Sequence, residues 1–117
     1  MSKKNKPFFM RSKIWIEDDS GKVIFGLGRL KILDSIDRHG SIHAAAKDLK
    51  MGYRAVWGRL RATEERLGKK LLIKSVGGAS GGGSKLTPLA KDLVEQFRIL
   101  HQKIVKESDE LFETLFL

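Results

Sequence analysis

The side chains that could do acid–base, nucleophilic or metal chemistry are dispersed along this chain. His39, His43 and His101 fall in three different segments, without the spacing of metal ligands. Cysteine is absent, which removes thiolate nucleophiles, disulfides and every zinc-finger pattern. The carboxylates are scattered over helix surfaces, and no serine stands in a nucleophile elbow. No catalysis is expected, and no cofactor or small-molecule ligand can be assigned. One loop superficially suggests a phosphate cradle: Gly77-Gly78-Ala79-Ser80-Gly81-Gly82-Gly83. A P-loop needs Lys directly after its last glycine, then Ser or Thr. Here Gly83 is followed by Ser84, Lys85 and Leu86, so the match fails.

What remains is positive charge. Lys and Arg number 23 against 14 Asp and Glu, a formal charge of +9 with a pI near 10.0. A small basic chain implies an acidic partner, nucleic acid ahead of an anionic membrane. The charge is also localised. Between Lys50 and Lys74 stand eight bases (Lys50, Arg54, Arg59, Arg61, Arg66, Lys69, Lys70, Lys74) and two acids (Glu64, Glu65). Ser108 to Leu117 holds three acids and no base.

The elements that must carry these bases follow from periodicity. Residues 1–12 read as a flexible basic arm interrupted by Pro7, with an apolar stretch too short for a secretory signal. Lys13 to Glu17 alternates, Asp18-Asp19-Ser20-Gly21 is turn chemistry, and Val23 to Phe25 resumes, which predicts a β-hairpin. Leu27, Leu30, Leu33 and Ile36 then draw a helical stripe closed at Gly40. Ser41 caps a short helix, Ile42 to Leu49, whose Ala44-Ala45-Ala46 allows close packing. Lys50-Met51-Gly52 turns into a third helix, Tyr53 to Leu67. Two short strands around 70–74 and 84–86 flank the glycine loop. Thr87-Pro88 starts a last helix of about 28 residues, roughly 40 Å long. The order is that of a mainly α winged helix-turn-helix with a small amount of β. It divides into an arm (1–12), the winged domain (13–87) and a C-terminal helix (88–117).

On a helical wheel Val56, Leu60, Thr63 and Leu67 share one face of the third helix and should enter the core. Arg54, Gly58, Arg61 and Glu65 share the opposite face. The arginines suit guanine edges or phosphates, and Gly58 would let the backbone approach a groove. Tyr53 and Trp57 flank that face, where a ring can pack inward and still touch a sugar or thymine methyl; both belong to the expected DNA-contacting set, with a core place for Trp57 slightly favoured over a base contact. Ser41 and Gly52, at the two helix starts, join the expected DNA-contacting set. In the wing, Lys74 and Lys85 would meet phosphates from the base of the hairpin, with Gly81 and Gly82 at a low-bulk tip. Leu89, Leu93, Phe97, Leu100, Ile104, Leu111 and Leu115 line one side of the last helix. Its first two turns can bury on their own domain, and the remainder calls for a second copy. Leu93, Phe97, Leu100, Ile104, Leu111 and Leu115 are the expected dimer contacts. Membrane docking is disfavoured, because the helix ends acidic where an interfacial helix would be basic.

Several stretches together resemble the N-terminal domain of ModE-type molybdate-responsive regulators. They are Phe25 to Leu30, His39-Gly40-Ser41-Ile42-His43-Ala44-Ala45-Ala46, Met51-Gly52-Tyr53-Arg54-Ala55-Val56-Trp57, and the run from Gly77 through Leu86-Thr87-Pro88. A more distant resemblance is to the reading head of LysR-type regulators. The resemblance implies a cytoplasmic, dimeric transcriptional regulator whose third helix enters the major groove of double-stranded DNA. Three departures stand out: Gly52 replaces the usual serine cap, Ala79 replaces a basic wing residue, and Leu117 precedes the oxyanion-binding modules of full-length members. The reading is therefore of a ModE-like head without a sensing domain, standing alone or as a piece of a longer protein. Its alternatives are a winged protein-interaction module and a nucleoid-type protein that coats DNA without sequence choice.

Overall fold

A computed structural model of the chain describes residues 8–75 and 82–117. Strands β1 (Trp15–Glu17) and β2 (Val23–Gly26) pair as an antiparallel hairpin. Its turn is set by one carboxylate. Asp18 accepts the backbone N–H of Ser20 and of Lys22, each at 2.9 Å, while Gly21 supplies a φ of +83°. Those hydrogen bonds, that of Lys22 first, hold the Asp18 carboxyl below its usual range. All three β1 residues are exposed, whereas Phe25 of β2 is fully buried.

Helix α1 (Leu27–His39) buries Leu30, Leu33 and Ile36 as its spacing predicts, together with the flanking Ile32, and leaves Leu27 outside. Gly40 closes it in the left-handed conformation, its N–H reaching the Ile36 carbonyl at 2.7 Å. Helix α2 (Ile42–Asp48) follows, capped by the Ser41 hydroxyl, which accepts the Ala44 N–H at 3.0 Å. In the α2–α3 turn the left-handed residue is Lys50, at φ 55°, rather than the glycine. Gly52 lies at φ −70° as the N-cap of α3 (Tyr53–Leu67), without a side-chain cap. Val56, Leu60 and Thr63 of α3 are buried.

Strands β3 (Leu72–Ser75) and β4 (Gly83–Leu86) form the wing hairpin, in register from Leu72↔Leu86 to Ser75↔Gly83. The wing is seated on the α1–α2 junction, for the Ser84 N–H donates to the Gly40 carbonyl at 2.8 Å. Helix α4 (Pro88–Phe116) starts as its sequence predicts, with Thr87 as cap and Pro88 in the first turn.

The face of α4 that meets the domain is Ala90, Val94 and Phe97, a spacing of four and three. Phe97 is only 2% exposed and packs edge-on against Phe25, ring centroids 5.4 Å apart. Its expected place in a dimer contact is therefore corrected: it closes the core of its own domain. Leu93 also packs in part against that core. The arm segment that is described does not hang free. Phe8 lies edge-on to Phe112 of α4 at 5.9 Å, so the chain before β1 runs beside the distal half of that helix.

Two buried polar side chains are fully used. The Ser35 hydroxyl donates to Asp48 at 2.8 Å, joining α1 to the end of α2. Thr63 donates to the Ile24 carbonyl and accepts from Arg29 Nε, both at 2.7 Å, so one hydroxyl links α3, β2 and α1.

Candidate nucleic-acid interface

Burial of Val56, Leu60 and Thr63 fixes the rotation of α3 and turns its opposite face outward. Arg54 and Gly58 lie on that face and are exposed, and a Cβ added to Gly58 would meet nothing within 4 Å. Arg61 is half-buried. Its guanidinium lies over the Trp57 ring at 5.4 Å, and its Nη2 is 3.9 Å from Glu65. Arg61 Nε alone, among the described residues, is a buried side-chain polar atom without a hydrogen-bond partner. Trp57 itself is 46% exposed, which overturns its expected place in the core. At position 57 the helix has already turned away from the Val56–Leu60 seam toward the wing.

A cleft of about 700 Å³ separates α3 from the wing, lined by Tyr53, Trp57, Arg61 and Glu64 on one side and by Lys74 and Gly82 on the other. Tyr53 is stacked on His43 of α2, centroids 4.2 Å apart, so the two helix starts share one aromatic shelf. Ser41 sits beside this shelf with its oxygen committed to capping, which leaves its O–H as a donor. Glu64 braces the wing, its carboxylate accepting the Leu71 N–H at 2.8 Å.

The two wing lysines are not brought together. Lys74 pairs with Ser84 and Lys85 with Ile73, so strand alternation puts them on opposite faces of the ribbon. Lys74 opens into the α3 cleft; Lys85 lines a groove with Asp37, Gly40 and Lys91. Gly81 falls outside the described residues, while Gly82 is exposed with open space around it.

Sequence reasoning missed two groups. His43 stacks beneath Tyr53, and Arg29, Arg59 and Arg66 gather on the other flank of α3. Arg66 donates to the Val23 carbonyl, and both Arg59 and Arg66 lie close enough to Arg29 to oppose its charge. Partial burial, then those neighbours, pushes the Arg29 guanidinium below its usual value. Contacts across 34 to 43 positions of sequence leave no periodic signal.

Along α4, Leu100, Leu111 and Leu115 are exposed and Ile104 is half-buried. Ile99 and Phe116 add to this apolar surface. Among the described residues, no helix is long and apolar enough to cross a membrane.

Two hairpins around a three-helix head, with α3 turned outward beside a wing, define a winged helix-turn-helix domain. The bacterial regulatory helix-turn-helix family of lysR type matches residues 27–91, more than half of the chain, and the chain belongs to that family. It is similar to the molybdenum transport protein ModE of Azotobacter vinelandii, 32% identical over 87 residues, covering 74% of this chain and 32% of that one. The transcriptional regulator ModE of Haemophilus influenzae is 35% identical over 74 residues, covering 63% of this chain and 29% of its own. The chain thus spans about a third of the length of the curated relatives it matches. Among solved structures, the DNA complex of the CbnR DNA-binding domain superposes with a TM-score of 0.60. It is 23% identical, over 77% of this chain and 98% of that one, and so shows the shared fold. Full-length LysG of Corynebacterium glutamicum gives 0.54 at 25% identity, over 74% of this chain and 28% of its own.

Proposed function

We propose that this chain reads specific sequences in double-stranded DNA as a homodimer, with α3 in the major groove and the wing on the adjoining backbone. The observation that carries the reading is the outward face of α3. Arg54 is exposed without a carboxylate partner among the described residues, Gly58 leaves open space beside it, and the Arg61 guanidinium lies over the Trp57 ring. Arginine on a bare helix face matches the bidentate edge of guanine, and a guanidinium resting on an aromatic ring gives up less freedom when it binds. Lys74 opens toward the same cleft, where it would meet a phosphate.

The second copy is supported by the distal part of α4. Leu111 and Leu115 are 59% and 68% exposed, and with Leu100, Ile104 and Phe116 they make an apolar surface too long for this domain to cover. Pairing α4 with α4 would give a two-fold axis and set two α3 helices about one DNA turn apart, or a multiple of it. Titrating the chain into a labelled random-sequence duplex across a salt series tests the DNA reading. Binding that weakens steeply with salt is expected, and an absence of binding at low salt would leave only the protein-interaction module. Sedimentation of the free chain tests the dimer.

A further inference from the structure

A helix about 10–12 Å wide lying in a groove of about 12 Å meets a phosphate strand on each of its flanks. The wing serves one flank of α3. The other flank carries Arg59 and Arg66, and against it stand Arg29 of α1 and the N-terminal hairpin. Among the described residues no carboxylate lies within ion-pair distance of these three arginines, and the one acid near them is Asp18, close enough to Arg66 for that charge to help lower its carboxyl. Asp18 answers Arg66 alone, so the three guanidiniums still oppose one another in the free protein, and an anion that bridges them removes that repulsion.

The surroundings also favour an anion. A groove of about 490 Å³ runs between Ser12–Trp15 and the start of α1, and Lys13, Gly28 and Arg29 are on its walls. The first turn of α1 has no side-chain cap and no acid, so no side chain offsets its N–H groups. A Cβ at Gly28 would meet nothing within 4 Å, so the backbone there is open to close approach. The hairpin lies before residue 27, outside the region matched by the family.

We propose that the Arg29–Arg59–Arg66 flank, with this groove, binds the phosphodiester backbone of the same duplex on the strand opposite to the one the wing meets. The inference rests on the DNA-binding reading above. It makes the hairpin side a second clamp, so that α3 is held from both flanks.

Arg59 is the residue to test, because it is exposed and makes none of the hydrogen bonds that Arg29 and Arg66 make. The full chain is titrated against a high-affinity duplex over a salt series, as wild type, Arg59→Gln, Arg59→Lys and Arg54→Ala. Arg59→Gln should lower the salt slope by about 0.9 and weaken binding about fivefold near 0.15 M salt, with base preference intact. Arg59→Lys should keep the slope. Phosphate ethylation should interfere on the strand away from the wing for wild type, and should lose that interference in Arg59→Gln. An unchanged slope in Arg59→Gln beside a weakened Arg54→Ala would overturn this clamp while leaving the DNA reading standing. Equal loss in Arg59→Lys and Arg59→Gln would assign the effect to packing and also overturn it. Failure of wild type to bind any duplex would remove both.

Discussion

Replacing Thr63 with Val keeps the shape of a fully buried side chain and deletes one hydroxyl. That hydroxyl bonds the Ile24 carbonyl and Arg29 Nε, both at 2.7 Å. Each group left unpaired in a dry site costs about 1–3 kcal/mol. Arg29 is only partly buried and water can repay much of its loss, so the Ile24 carbonyl dominates and about 2 kcal/mol is expected for the pair. For a domain of this size that corresponds to a fall in Tm of roughly 8 °C. Thr63→Ser makes the opposite change. It retains both bonds and removes a methyl, which costs about 1 kcal/mol. The two variants therefore rank in a fixed order when their urea midpoints are compared at constant m. Thr63→Val should lose about twice what Thr63→Ser loses. If Thr63→Ser proves the less stable variant, the hydroxyl link between α3, β2 and α1 is not what holds the hairpin to the head.

Arg54→Ala should weaken a selected duplex by roughly 1–3 kcal/mol, about 5- to 150-fold, and relax preference at one base position; equal affinity and equal preference in a binding titration would remove Arg54 from the reading face. The Asp48 carboxyl is held below its usual value near 3.8, first by the Ser35 hydroxyl and then by the charges of His39 and Arg38. A lowered folded-state pKa contributes stability above the usual value and loses it as pH falls through the lowered one. Urea midpoints should therefore show Asp48→Asn less stable than wild type at neutral pH, with the gap closing in strong acid; a gap constant with pH would contradict the assignment. Changing Leu111 and Leu115 together to Asp should give a monomer by sedimentation, with the Tm of the head retained in dilute solution, and a persisting dimer would place the interface elsewhere.

The parts of the fold written in local periodicity are legible in the sequence. Val56, Leu60 and Thr63 recur on one face of α3, and the Thr87-Pro88 start of α4 is a local signal that the structure repeats. Trp57 shows where that reading stops, since a position at the margin of an apolar stripe can turn either way, and here the wing cleft draws the ring outward. Phe97 illustrates a second limit. Spacings of three and four identify an apolar side of α4 but do not say whether a domain or a second copy covers each residue. The Phe25 ring, more than seventy positions earlier in sequence, decides it. Lys74 and Lys85 look alike as wing bases until their pairing register sets them on opposite faces. Arg59 and Arg66, seven positions apart, share a flank of α3 by local spacing, but what brings Arg29 to them is a contact between distant segments that nothing local announces.

In this reading, α3 recognises sequence from a two-fold pair of heads. Selection of binders from a randomised duplex pool near 150 mM salt tests it most directly, because non-specific phosphate binding is already weakened there. An enriched inverted repeat is expected, with half-sites about one helical turn apart or a multiple of it. Retention without any enriched sequence would contradict the reading role of α3, and enrichment of a single unrepeated site would contradict the dimer.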